Sequence, residues 1–212
     1  MLENIWILTA PSEWKNLRNK FDSESLTFDF EKPLDIAKKA TEKDLKCSWK
    51  RFEEGISLNK NIDSSWTIEA INRYSWVVFN AIWYQDLTDD EKAFINDNLY
   101  ILSWMYGIVK PLDKIGNYKL PIETKWLLPF WKGKLTDELN KQNKTIWINL
   151  LPKSYAKMLD FSLLAWNVVE VKFIKDWKSL THWVKKHRGE FIKRLSMWEE
   201  FNFSWGEVVI EV

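Results

Sequence analysis

The sequence predicts a mixed α/β (α+β) fold, one compact domain over residues 1–212 with a mixed sheet and helices around it. Three observations predict it. Short apolar runs rich in β-branched residues recur at strand length. Between them lie stretches with helical spacing or helix-start chemistry. No repeat, low-complexity tract or Pro/Gly/Ser linker divides the chain, and 46% hydrophobic with 29% charged residues suits one core and a solvated surface.

The elements follow in order. Ile5 to Thr9 reads as a buried strand leading into a Pro-containing turn. Leu34 to Phe52 looks helical and lysine-rich. Trp76 to Ile82 is β-branched and aromatic, which predicts a strand or a strand entering a turn. Thr88-Asp89-Asp90-Glu91 is a capping box, so a helix starts there and runs to about Asn96. Leu99 to Ser103 is strand-like, and Trp104 to Leu128 reads as an ordered functional loop. A short helix is expected over Leu135 to Gln142 and a strand over Thr145 to Leu150. Pro152 suits the first turn of the helix after it. Val168 to Ile174 is a strand, Leu180 to Met197 has helical spacing, and Val208 to Val212 is a last strand.

Composition narrows the function classes. No apolar run has the length of a membrane span, and the N-terminus lacks a signal-peptide pattern. The single cysteine, Cys47, leaves no internal disulfide and suits a reducing compartment. A cytoplasmic monomer with no membrane partner is expected. Net charge is only +1, but Lys172 to Arg194 holds eight Lys/Arg against two acids, leaving about −5 elsewhere. Such a segment is either a solvated helix face or a phosphate-binding patch. His182 and His187 with one distant Cys make no metal site, and neither a phosphate-binding loop nor a dinucleotide fingerprint occurs, so no metal or cofactor is expected.

Several motifs could carry chemistry. Pro11-Ser12-Glu13-Trp14-Lys15 sets a hydroxyl, a carboxylate and an ammonium at a strand end, where α/β folds place ligands. It could equally be a helix N-cap. Leu102 to Asp113 holds Ser103, Tyr106, Gly107, Lys110, Pro111 and Asp113, followed by Tyr118, Leu120, Lys125 and Phe130-Trp131. Asn149-Leu150 and Tyr155 come next. Thr181-His182-Trp183-Val184-Lys185-Lys186-His187-Arg188-Gly189 is the densest basic cluster. On a helix Lys185 and Arg188 share a face, where Arg188 can grip phosphate in a bidentate manner.

Together these motifs resemble the YaaA family. The Pro-Ser-Glu-x-Lys start, the Leu-Ser-x-x-Tyr-Gly-x-x-Lys-Pro-x-Asp block, Asn149-Leu150 with Tyr155, and Thr181-His182-x-x-Lys185-x-x-Arg188-Gly189 occur in the family's order. Residues 121–124 depart from it. The resemblance implies a compact mixed fold with a basic cleft. It also implies a role in surviving peroxide by limiting free iron, and DNA binding. On that reading Lys15, Lys110, Lys125, Lys185, Lys186 and Arg188 contact phosphate. A second reading is an enzyme acting on a nucleobase, nucleotide or nucleic-acid end, with Ser12, Glu13 and His182 as candidate catalytic groups. A third makes Ser103, Tyr106, Gly107, Asp113, Tyr118, Asn149, Tyr155 and Gly189 supports of the fold.

Two counts are abnormal. Usage predicts roughly 15 glycines, and there are 6, against 15 tryptophans. Trp14, Trp76 and Trp104 fall where the resembling family has small residues, while Trp166 and Trp177 occupy turn-like sites. Two explanations stand: UGA codons read as glycine by the source organism and written here as tryptophan, or an aromatic stacking surface.

Overall fold

A computed structural model describes residues 4–16, 26–122, 124–142, 146–165, 167–175, 178–179, 184–201 and 206–212, with backbone only at 63, 178 and 179. The first half comprises β1 (Ile5–Thr9), α1 (Glu31–Lys38), α2 (Glu42–Leu45), α3 (Lys50–Lys60), β2 (Ile68–Glu69), α4 (Ala70–Arg73), α5 (Val77–Ile82), α6 (Asp89–Asn98) and β3 (Leu99–Ser103). The second half comprises β4 (Gly107–Val109), β5 (Lys114–Ile115), α7 (Leu127–Asn140), β6 (Ile146–Asn149), α8 (Lys153–Ala156), β7 (Asn167–Lys175), β8 (Lys178–Ser179), α9 (Val184–Ser196) and β9 (Glu207–Glu211).

Five strands form a parallel sheet in the spatial order β3-β1-β6-β7-β9. Strand β4 pairs antiparallel outside β3, and β8 folds back on the end of β7. The predicted mixed sheet is therefore mostly parallel. Both β1 and β3 are buried along their whole length, because both faces of the sheet are covered. That is why they read as continuous apolar runs. Strand β9 alternates instead, with Val208 and Ile210 inward and Val209 exposed. The chain runs from β1 outward to β3, then returns to the opposite side of β1 for β6. The boundary between β1 and β6 is the point where the winding direction reverses.

Several elements differ from the sequence reading. Val77–Ile82 is a helix, not a strand. Its β-branched residues disfavour a helix only weakly, and burial of Phe79, Ala81 and Ile82 outweighs that preference. The helix predicted over residues 34–52 is three helices. Thr41 and Asp44 form a capping box that starts α2, and a left-handed Lys46 ends it. Helix α7 starts at Leu127, well before Leu135, and carries Pro129 in its first turn. The expected loop over 104–128 contains β4 and β5. Pro152 stands just before α8. The capping box of α6, Thr88 with Glu91, forms as read.

Candidate functional site

The carboxyl ends of β1 and β6 open onto a cavity of about 340 Å³. Its position follows from topology: a winding reversal parts the connections above two neighbouring parallel strands and leaves a crevice there. The exit of β1 contributes Thr9, Ser12 and Glu13, and the segment after β6 contributes Leu150 and Tyr155. Helix α5 walls one side, and α9 brings Lys185 and Arg188. Trp14 and Trp76 stack on each other at 5.7 Å in its wall.

Helices α5 and α9 cross closely because residue 189 is glycine. A Cβ there would meet the Val78 carbonyl oxygen and lie 2.7 Å from Ala81 Cβ. Gly189 therefore sets the depth at which the preceding Arg188 enters the site. The three-residue spacing of Lys185 and Arg188 puts both on the cavity side. Lys186 pairs with Glu190 at 3.1 Å, and His187 bonds the same carboxylate group at 2.9 Å while stacking on Phe173. Neither Lys186 nor His187 lines the cavity. Among the described residues neither Lys185 nor Arg188 has a carboxylate in ion-pair contact. Burial lowers the Arg188 pKa, with Glu170 acting in the opposite sense.

The other predicted residues divide by location. Ser12 does not cap a helix; its Oγ accepts from the Trp14 amide at 3.2 Å, shaping the loop that holds Glu13. Asn149 donates to Glu170 at 2.6 Å and accepts from Leu151 N at 3.0 Å, so it fixes the chain leaving β6. Burial pushes the Tyr155 phenol well above its ordinary pKa, with Tyr118 and Glu13 adding to the rise, so it stays a proton donor. Lys110 lies beside Tyr100, toward the opposite end of the sheet; its amide donates to Asp113 at 2.8 Å in a turn. Lys125 is exposed near Asp44 and outside the cavity lining. His182, Thr181, Trp166 and Trp177 lie outside the described residues.

A polar layer that sequence reasoning did not assemble underlies this region. Ser103 Oγ, Tyr118 OH and Tyr74 OH form a buried chain with links of 2.9 and 3.0 Å. Ser103 also accepts from the amides of Met105 and Tyr106, which ties the β3–β4 turn. The Lys15 amine sits 4.1 Å from the Tyr118 ring centre, and burial first, then Lys119, lowers its pKa to about 7. Lys15 thus belongs to this layer and is absent from the cavity lining. Arg73, fully buried, donates to the carbonyls of Asn16, Trp66 and Ile115 and joins the β1 exit to β5. Arg73 and Tyr74 carried no sequence signal, because their partners are backbone carbonyls and distant hydroxyls.

A comparison across protein families covers all of these segments. Residues 5–198 match the family described as peroxide stress protein YaaA. The chain belongs to that family. It is 31% identical to a UPF0246 protein of Rickettsia rickettsii over 146 residues, 63% of this chain and 59% of the relative. A UPF0246 protein of Flavobacterium psychrophilum is 30% identical over 153 residues, 64% of this chain and 60% of its own. One of Saccharophagus degradans is 33% identical over 157 residues, 63% and 61%. The chain spans about three-fifths of the length of these curated relatives. In this YaaA family member no described helix is long and apolar enough to cross a membrane. Among its described residues no three His, Cys, Asp or Glu side chains gather in metal-binding reach.

Proposed function

We propose that this YaaA family member serves peroxide defence by binding a phosphate-bearing nucleic-acid end in the cavity between β1, β6 and α9. One observation carries the reading: Ser12, Glu13, Tyr155, Lys185 and Arg188 come from three separate stretches of chain and line the same cavity. Arg188 and Lys185 hold the phosphate. Tyr155 supplies a phenolic proton donor, and the Glu13 carboxylate is the candidate base for any transfer at the bound end. Protection of DNA, and the limiting of free iron, are the physiological outcomes the family resemblance implies. Lys110 and Lys125 stand apart from the cavity, which favours a site for an end over a long basic cleft.

Fluorescence anisotropy with a short 5′-phosphorylated duplex tests this at low salt. Arg188→Met is expected to weaken binding about tenfold, the equivalent of about 1.4 kcal/mol. Lys110→Met and Lys125→Met are expected to leave it unchanged. Equal losses from all three variants, or no binding by the parent protein, would refute the cavity reading.

A further inference from the structure

Among the described residues six non-glycine positions have positive φ, and five of them are tryptophan: Trp49, Trp76, Trp83, Trp126 and Trp198. Residues with a Cβ rarely adopt this conformation, and Asn and Asp are the usual exceptions. Trp76, at φ 79° and ψ 167°, lies in a region essentially reserved for glycine. Trp49, at φ 56° and ψ −132°, is also far from the left-handed helical well. Trp83 ends α5 and Trp198 follows α9, both at the usual glycine position after a helix. Trp126 precedes α7 in the left-handed region.

Burial does not compensate. These five indoles are 52–83% exposed. Trp131 and Trp147 behave differently: both are fully buried at negative φ, and Trp131 Nε1 donates to the Trp104 carbonyl at 2.8 Å. Among the described residues the tryptophans therefore include two distinct populations, one filling the core and one at backbone angles that favour glycine; Trp66, 44% exposed and without positive φ, belongs to neither. Trp14, 63% exposed and stacked on Trp76, has negative φ and is not sorted by its backbone. Trp104 is buried at negative φ, and the backbone criterion does not reach it.

We infer that the cell owning this gene decodes UGA as glycine and that residues 49, 76, 83, 126 and 198 are glycine in the protein it makes. The consequence falls on the site. With glycine at 76, the stacked pair loses one indole and the cavity becomes a more open cleft, accessible to the end of a polymer as well as to a small molecule. This last point rests on the proposed function; the decoding does not.

The gene and the native protein decide the matter. UGA is expected at codons 49, 76, 83, 126 and 198, with UGG at 131. Intact mass of the protein from its own cell is expected to fall short of the tryptophan-bearing mass by one indolylmethyl group for each UGA codon. The chain expressed with glycine at these positions is expected to melt at least several degrees above the tryptophan version. UGG at the five positive-φ positions, or an intact mass requiring 15 tryptophans, would overturn the inference. UGA codons combined with no duplex binding by the glycine-bearing chain would leave the decoding intact and sink the cavity reading instead.

Discussion

At the scale of single residues, Lys15 has the most consequential environment. Lys15 is half-buried, its amine donates to the Glu13 carbonyl at 3.4 Å and lies against Tyr118 and Tyr74, and desolvation there lowers its pKa to about 7 from an ordinary 10.5. Between those values the unfolded chain holds a proton that the folded chain has released, so stability rises with pH across that window. Below pH 7 both states are protonated and the cost of burying the charge is felt in full. Lys15→Met is therefore expected to stabilise the protein most below pH 7, with the gain fading as pH rises toward 10.5. Urea midpoints at pH 6 and pH 9 measure it, and an equal gain at both would refute it. Trp83→Gly is expected to stabilise by about 1 kcal/mol, the cost of a left-handed residue with a Cβ. Trp131→Gly is expected to destabilise by about 4 kcal/mol or more, since it leaves a cavity and an unmet carbonyl. Chemical denaturation of the two variants distinguishes them by sign.

Elements are joined by a few contacts that no local pattern announces. Gly189 lets α9 approach α5, and Gly189→Ala is expected to cost about 2 kcal/mol by overpacking. The same change moves Arg188, so phosphate binding should fall in step with the thermal midpoint. Unchanged binding would show that the crossing does not position the guanidinium. Arg73 ties α4 to three carbonyls on separate segments. Arg73→Met leaves those acceptors unmet and is expected to cost about 3 kcal/mol, read as a lower denaturation midpoint. Legibility at this scale was uneven. The strands β1, β3, β6 and β7 and the capping box of α6 were readable because apolar runs and cap residues act locally. Helix α5 was not, because its Val-rich residues favour a strand by propensity and only packing decides for a helix.

Across the whole molecule, charge is segregated: residues Lys172 to Arg194 carry +6 and the remainder about −5. Part of that density is neutralised locally, since Lys186 pairs with Glu190, and Lys172 and Arg194 pair with Glu207 and Glu199. Among the described residues Lys185 and Arg188, the pair assigned to phosphate in the proposed function, have no carboxylate in ion-pair contact, and Arg188 reaches the Leu151 carbonyl at 3.5 Å. Counterion release turns this into a number: two phosphate contacts give a log–log salt slope of about −2 for duplex binding, whereas a cleft using all six predicted cations would give about −5. Anisotropy titrations over a range of salt concentrations separate the two. A slope near −5 would restore the long cleft and remove the case for the cavity.

The mixed fold class, the positions of the main strands, the family resemblance and the glycine deficit are all legible in the amino-acid order. Each is written in local apolar periodicity, cap chemistry or motif order. The amino-acid order also named Ser12, Glu13, Tyr155, Lys185 and Arg188, without stating that they share a cavity. Their convergence is a product of long-range packing, because it depends on the winding reversal between β1 and β6 and on the close α5–α9 crossing. The same long-range packing set the Lys15 amine against the tyrosine layer and left Lys110 at the far end of the sheet. It also supplied the backbone angles that sort the tryptophans. Those angles are set by where neighbouring elements must go, and residue type alone does not encode them.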